Sequence, residues 1–524
     1  MSDHLTESAP ARPRSPAVRQ WLPAILVLAL AVRLYVMLTG TMVSRDTVVF
    51  VDYAKAFATG PLTALAERDQ HPLFPALVLL TQNLRQTVFK VSSSPEAWAM
   101  SAQIVACVGG LFCVVILYGL VKWLWGERAG LWAALWMAMV PEACHLSSDG
   151  LSDMPHLAFY LLALSLALRG FLLPCKKSLV AAAMVSGVAY LMRPEGGELF
   201  VLVIAGLCRY PRAFPIRQRL FLGAAACGAF LLMAGPYMAV TGQLVQKKSL
   251  LDMFQLERES GLPATFAWID APMLAADGKA LSLPRAVNTI IEKSIRATRV
   301  SYVVLFALAA VPVLRPRFKK GLVPILGGAA ALHGLVLLGL GTKFGYVSMR
   351  HTMILVAIML IVAAGVADRI VDLATSRKPG KQTAVITSCW MAILVIVPTM
   401  PWVLERLYPN VAHYGEAARY IRENYPPEAM VVTTRQRIPF YADRPWQNVP
   451  DDGEVAAWLY HLHAQTRVVA IASDRVLKKN PDFFEQLQRD AIESGRLKPV
   501  REFAPPPGSD KGAVLLYEVV HEPR

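Results

Sequence analysis

The sequence predicts a polytopic α-helical membrane protein with a small α/β domain at its C-terminal end. Of 524 residues, 55% are hydrophobic and only 17% are charged, against about 25% charged in soluble chains. The shortfall is uneven: charges are sparse through a succession of long apolar runs and return to ordinary density near the C-terminus. A bilayer demands this pattern, because an ionisable group at mid-membrane costs roughly 2.5 kcal/mol or more. The connections between the runs alternate between strongly basic and mixed, as loops on the two sides of a membrane do.

Taken in order, the polar, Pro-rich stretch 1–20 is expected to be a disordered cytoplasmic tail. Apolar runs then place about eleven transmembrane helices at 21–40, 97–121, 129–141, 153–172, 178–192, 195–208, 220–240, 299–314, 321–341, 351–367 and 383–401. The first has spanning length and no small-residue cleavage site, so it is expected to be a retained helix rather than a signal peptide. Two long polar connections, 41–96 and 241–298, interrupt the series. Within the first, segments 47–58 and 73–90 are amphipathic and are expected to lie on the membrane surface. Arg12, Arg14, Arg19 and the basic loops 122–128, 169–177, 209–219, 315–320 and 369–381 fall on one side, which is therefore cytoplasmic. The connections 41–96, 142–152, 193–195, 241–298 and 342–350, and everything after 401, then face a periplasm-like space. The runs 129–141, 178–192 and 195–208 are short for a core about 30 Å thick, which predicts a cavity cut into the outer leaflet.

From 402 to 524 the pattern changes. Helix-periodic segments 415–424, 454–464 and 481–494 alternate with β-rich runs 430–434, 467–473, 500–503 and 513–519, which argues a small α/β sandwich. It contains no GxGxxG and no P-loop, and a role as partner or acceptor platform stands beside a catalytic one. The net charge of +15 is that of basic loops orienting spans, not a nucleic-acid surface. The seven cysteines show no CxxC spacing and imply neither a disulfide nor a metal framework.

The candidate site residues are ionisable groups at the outer ends of spans. They are Arg45 and Asp46 after the first span, His71 before Leu73-Phe74-Pro75, Asp149 and Asp153 in the next outer turn, Arg193 and Glu195 between two short spans, and Lys343, Tyr346, Arg350 and His351. Several loops converging on one side point to one site. Carboxylates there can act as bases, and Arg or Lys can clamp a phosphate. Each residue also has a plainer reading. Asp46 follows a span end where charge is common; Asp153 opens a helix and competes as a cap. Arg193 and Glu195 could be a structural pair around Gly196-Gly197; Lys343 and Arg350 could anchor span ends. His71 could be a packed turn residue, and Arg33, inside the first span, could snorkel to the interface.

These residues in this order resemble the GT-C class of membrane glycosyltransferases, in particular the dolichyl-phosphate-mannose protein mannosyltransferases, the lipid A aminoarabinose transferases and their bacterial relatives. The resemblance rests on Ser44-Arg45-Asp46 with Asp52-Tyr53-Ala54, His71-Pro72-Leu73-Phe74-Pro75, Gly126-Glu127-Arg128, Ser148-Asp149-Gly150-Leu151-Ser152-Asp153, Leu191-Met192-Arg193-Pro194-Glu195-Gly196 and Arg350-His351, over roughly residues 20–400. It implies a sugar donor on polyprenyl phosphate, inversion at the anomeric carbon, and a lipid, glycan or protein acceptor among the membrane lipids. It makes Asp46 the general base, matches Asp149 or Asp153 to a second acidic position, and makes Arg193, Lys343 and Arg350 phosphate ligands. Relatives carry adjacent acids in the first loop, whereas here Arg45 precedes Asp46 and Thr47 follows it. No cofactor is therefore assigned, with a divalent cation left open. The rival reading from another class is a transporter or flippase of a lipid-linked or anionic substrate, although the sequence shows no convincing internal repeat. A lipid-binding scaffold working through its outer domain and an oligosaccharide ligase are further alternatives.

Overall fold

The computed structural model describes residues 21–209, 214–244, 280–299, 301–316, 318–319, 321–377, 381–448, 466–473, 488–493 and 495–520. The expected tail 1–20, residues 245–279 of the second long connection and the expected helix 454–464 lie outside these residues, as does most of 481–494.

The apolar runs form a helical bundle. Its elements are α1 Trp21–Thr39, α2 Arg45–Thr59, α3 Pro61–Glu67, α4 Leu73–Phe89, α5 Pro95–Trp125, α6 Glu127–Met139, α7 Pro141–Ser148, α8 Asp153–Leu172, α9 Lys176–Met192, α10 Gly197–Arg209, α11 Ile216–Thr241, α12 Leu283–Thr298, α13 Ser301–Ala307, α14 Leu322–Phe344, α15 Met353–Arg377 and α16 Lys381–Val403. Among the described residues, seven helices are long and apolar enough to cross a membrane: α1, α5, α8, α11, α14, α15 with the turn Met349–Thr352 that opens it, and α16. The other four expected spans correspond to α6, α9, α10 and the short apolar stretch Ser301–Ala310.

Local chemistry sets the ends of these helices. The Ser94 hydroxyl accepts from the Ala97 N–H and Pro95 opens α5, while Gly126, at φ +105°, closes it. Between α6 and α7 the chain breaks at Pro141, whose ring nitrogen cannot serve the Met137 carbonyl four residues back. Arg33 supplies the missing donors. It is fully buried, and its guanidinium donates to the carbonyls of Ala29 (3.0 Å), Ala138 (3.2 Å) and Met137 (3.4 Å). The snorkelling expected of Arg33 is thus replaced by an internal bond to a helix C-terminus, where a cation is favoured.

Helix α5 is central and packs on α4, α6 and α8. Its approach to α8 depends on Gly109: a Cβ there would lie 2.5 Å from the Pro155 nitrogen and 2.7 Å from its Cα. Gly109→Ala is expected to cost about 1–3 kcal/mol through overpacking, measured as a lower unfolding midpoint in detergent.

After α16 the chain forms the C-terminal domain: α17 Ala412–Asn424, β1 Met430–Thr433, α18 Arg437–Ala442, β2 Trp446–Asn448, β3 Thr466–Ala472, β4 Leu497–Phe503 and β5 Val514–Val519. The five strands lie in the order β2-β1-β3-β5-β4. β1 is parallel to β2 and β3, and β5 is antiparallel to β3 and β4. The four expected β-rich runs are β1, β3, β4 and β5. The three-residue β2 and the one-and-a-half-turn α18 are too short for periodicity to reveal.

Candidate functional site

A cavity of about 930 Å³ opens at one end of the bundle, beneath the C-terminal domain. Of the residues expected from sequence, Arg45, Asp46, His71, Asp149, Asp153, Arg193, Tyr346, Arg350 and His351 line it. Glu195 and Lys343 do not. Glu195 stands behind Arg193 as its partner, and Lys343 is next to the lining residue Phe344.

Asp46 lies in the first turn of α2, whose N-cap Ser44 accepts from the Thr47 N–H at 3.1 Å. A carboxylate there faces the positive end of the helix dipole. It pairs with Arg350 and keeps 41% of its side chain exposed. Arg350 is carried by the 3₁₀ turn Met349–Thr352, which His351 caps by accepting from the Ser348 N–H at 3.4 Å. Tyr346 packs edge-on against His351, with 5.6 Å between ring centroids.

A buried polar chain supports that turn from within the bundle. His333 of α14 places Nδ1 3.0 Å from Glu198 Oε1 and Nε2 2.8 Å from the His351 carbonyl. The Nε2–H donates to the His351 carbonyl, and Nδ1 shares a proton with the Glu198 carboxyl. His333→Leu removes both contacts and leaves Glu198 only the Tyr160 hydroxyl, at 3.4 Å. The expected outcome is faster amide exchange across 346–352 than in the wild type.

Asp153 and Glu195 both bind Arg193, at 2.7 and 3.2 Å, and all three side chains are largely buried. Asp153 is the first residue of α8 but makes no cap: Ser152 holds the N-cap position without a side-chain hydrogen bond. Gly196 lets the turn between α9 and α10 close, since a Cβ there would meet the Ala189 carbonyl carbon at 2.3 Å.

Asp149 is 3% exposed, and both its carboxylate oxygens are taken. Oδ1 accepts from the Ser44 N–H at 2.6 Å, and Oδ2 accepts from the Tyr408 hydroxyl at 2.7 Å. Burial pushes its carboxyl up to about 7, against the opposing pull of these donors. His71 touches the rings of Tyr190 and Tyr237, at 4.9 and 5.3 Å between centroids.

Sequence reasoning missed Glu142, Arg296, Arg299, Arg406, Tyr408 and Arg437, which also line the cavity. Burial, with Asp153 adding to it, pushes the Glu142 carboxyl up to about 7. Arg299 lies over the Trp402 ring at 4.5 Å and Arg437 over the Tyr408 ring at 4.8 Å. Arg299, Arg406 and Arg437 make no close ion pair among the described residues, though Arg299 acts on Glu142 and Arg437 on Asp149 across the cavity. The one signal that could have flagged Arg299 is its place as the first residue of the eighth expected span, 299–314.

A divalent cation would need free carboxylate oxygens converging on a point. Here Asp46 is engaged by Arg350, Asp153 by Arg193, and Asp149 by two hydrogen-bond donors. Among the described residues, no three His, Cys, Asp or Glu side chains gather as a metal site.

Residues 71–238 match the family model described as dolichyl-phosphate-mannose-protein mannosyltransferase. The structure superposes on ArnT from Cupriavidus metallidurans bound to undecaprenyl phosphate with a TM-score of 0.64 at 14% identity, covering 96% of this chain and 99% of that one. The fold is that of the GT-C membrane glycosyltransferases. A second likeness is to the archaeal oligosaccharyltransferase AglB from Archaeoglobus fulgidus, in complex with an inhibitory peptide and a dolichol-phosphate. Its TM-score is 0.52 at 13% identity, covering 95% of this chain and 74% of that one. No curated protein sequence matches the chain. The GT-C resemblance read from the loop motifs therefore agrees with both the family model and the fold.

Proposed function

We propose that this GT-C protein transfers a sugar from a polyprenyl-phosphate donor to an acceptor hydroxyl at the outer face of the inner membrane, inverting the anomeric carbon. The observation that carries the reading is one cavity holding a solvent-reachable carboxylate, Asp46, beside several arginines, of which Arg299, Arg406 and Arg437 are in no close ion pair among the described residues. In this reaction Asp46 takes the proton of the acceptor hydroxyl, the acceptor oxygen bonds to the anomeric carbon, and the bond from that carbon to the phosphate oxygen breaks. The electron pair leaves with the polyprenyl phosphate, whose charge nearby guanidinium groups stabilise. Arg299, Arg406 and Arg437 join Arg350 as candidate phosphate ligands, while Lys343, expected from the sequence to be one, stands outside the cavity lining. Arg193, already shared between two carboxylates, is better suited to shaping the wall. The solved relatives named above carry undecaprenyl phosphate and dolichol-phosphate, which supports the class of donor.

The test uses full-length protein in lipid nanodiscs with a panel of polyprenyl-phosphate sugars. Transfer or release from one donor, abolished by Asp46→Asn, supports the reading. No turnover of any donor, together with movement of a lipid-linked sugar between leaflets in proteoliposomes, puts the flippase reading in its place.

A further inference from the structure

Four consecutive residues, 41–44, stand directly before Arg45 and Asp46; three are tied to the C-terminal domain or the segment that introduces it, and the fourth reaches that segment through Asp149. Thr41 donates its backbone N–H to the Leu407 carbonyl at 3.2 Å and its hydroxyl to the Tyr408 carbonyl at 2.7 Å. Met42 is 4% exposed, inside the domain's own apolar core with Val411, Tyr414 and Ile438. The Val43 N–H donates to the Tyr441 hydroxyl at 3.0 Å. The Ser44 N–H donates to Asp149, whose second oxygen is held by the Tyr408 hydroxyl.

The exchange also runs the other way. Phe440 of α18 belongs to the bundle's core, and Lys55 of α2 has its ammonium 5.7 Å from that ring and 5.9 Å from Trp98. Arg422 of α17 pairs with Glu96 at the start of α5, at 2.8 Å. Tyr408 itself sits at φ +52°, a left-handed conformation uncommon outside glycine that persists only where the surroundings over-determine it. A domain serving only as an acceptor platform would not need to grip three successive residues of the strap in front of the base.

We propose that the C-terminal domain is a positioning element of the active site: it fixes the 41–44 strap and, through it, the carboxylate of Asp46. A displacement of about 1 Å in a reacting group can cost roughly 10²-fold in rate, so the domain's grip would be felt in turnover before it is felt in binding. For its kinetic arm the inference rests on Asp46 being the base. Its structural arm does not.

The test is the double variant Tyr408→Phe/Tyr441→Phe in the full-length protein, which removes two hydroxyls and keeps both rings. Amide exchange across 41–47 should quicken while exchange in α8 stays as in the wild type. With a donor that turns over, kcat should fall by about 10- to 100-fold at unchanged KM, with no further fall when the pair is added to Asp46→Asn. Unchanged exchange across 41–47 overturns the proposal, and so does an equal fall in the Asp46→Asn background. If the wild type turns over no donor, the transferase reading fails and the exchange result alone decides this one.

Discussion

Asp46→Asn lowers sugar transfer by about 10²–10⁴-fold, the range for a lost general base, while donor binding and the unfolding midpoint stay near those of the wild type. The expectation follows from the geometry. The carboxylate caps no chain end and fills no core; it stands at the cavity wall, 41% exposed, with Arg350 as its ion-pair partner. Asn keeps the size and the place in the first turn of α2 but cannot accept a proton. Glu142→Gln is the control that matters most. Its carboxyl lines the same cavity and sits near neutrality, the range in which general bases work best. Initial rates for the two variants against one donor separate the candidates: a fall confined to Glu142→Gln moves the base from α2 to α7.

Arg193→Met destabilises the protein by about 3–5 kcal/mol, because it strands two buried carboxylates with no compensating charge. Asp153 and Glu195 have 6% and 10% of their side chains exposed, and Arg193 has 12%, so solvent screens the loss little. The triple variant Arg193→Met/Asp153→Asn/Glu195→Gln is expected to recover most of it, since neutral replacements leave no buried charge unpaired. Chemical unfolding in detergent measures both. A single variant as stable as the wild type would show that the triad is not an internal ion-pair network.

Much of the site was legible because the bilayer makes ionisable residues expensive. Asp46, Asp149, Asp153, Arg193 and Arg350 stand out against apolar neighbours, and the basic loops assign them all to one side. What the pattern could not show was how the charges divide. Asp149 and Asp153 look alike in the sequence, four residues apart. In the fold, Asp153 faces Arg193, while Asp149 is locked between Ser44 and Tyr408. Tyr408 and Arg437 were missed for the opposite reason: they belong to a segment of ordinary polarity, where a tyrosine or an arginine gives no contrast. The bond from Tyr408 to Asp149 joins residues 259 positions apart, and no local periodicity reports a contact of that kind.

The sequence by itself determined the class of the protein, the order of its apolar helices, the strand-rich tail and the existence of one charged cluster, with part of its membership. All of these follow from local transfer energies and side-chain periods, which each segment expresses alone. Only the tertiary structure decided that Arg33 serves the carbonyls at Pro141, that Arg299, Arg406 and Arg437 line the cavity without a close ion pair among the described residues, and that the C-terminal domain reaches into the cavity. Those outcomes depend on which buried donor finds which acceptor across the fold, and that pairing exists only once the helices have packed.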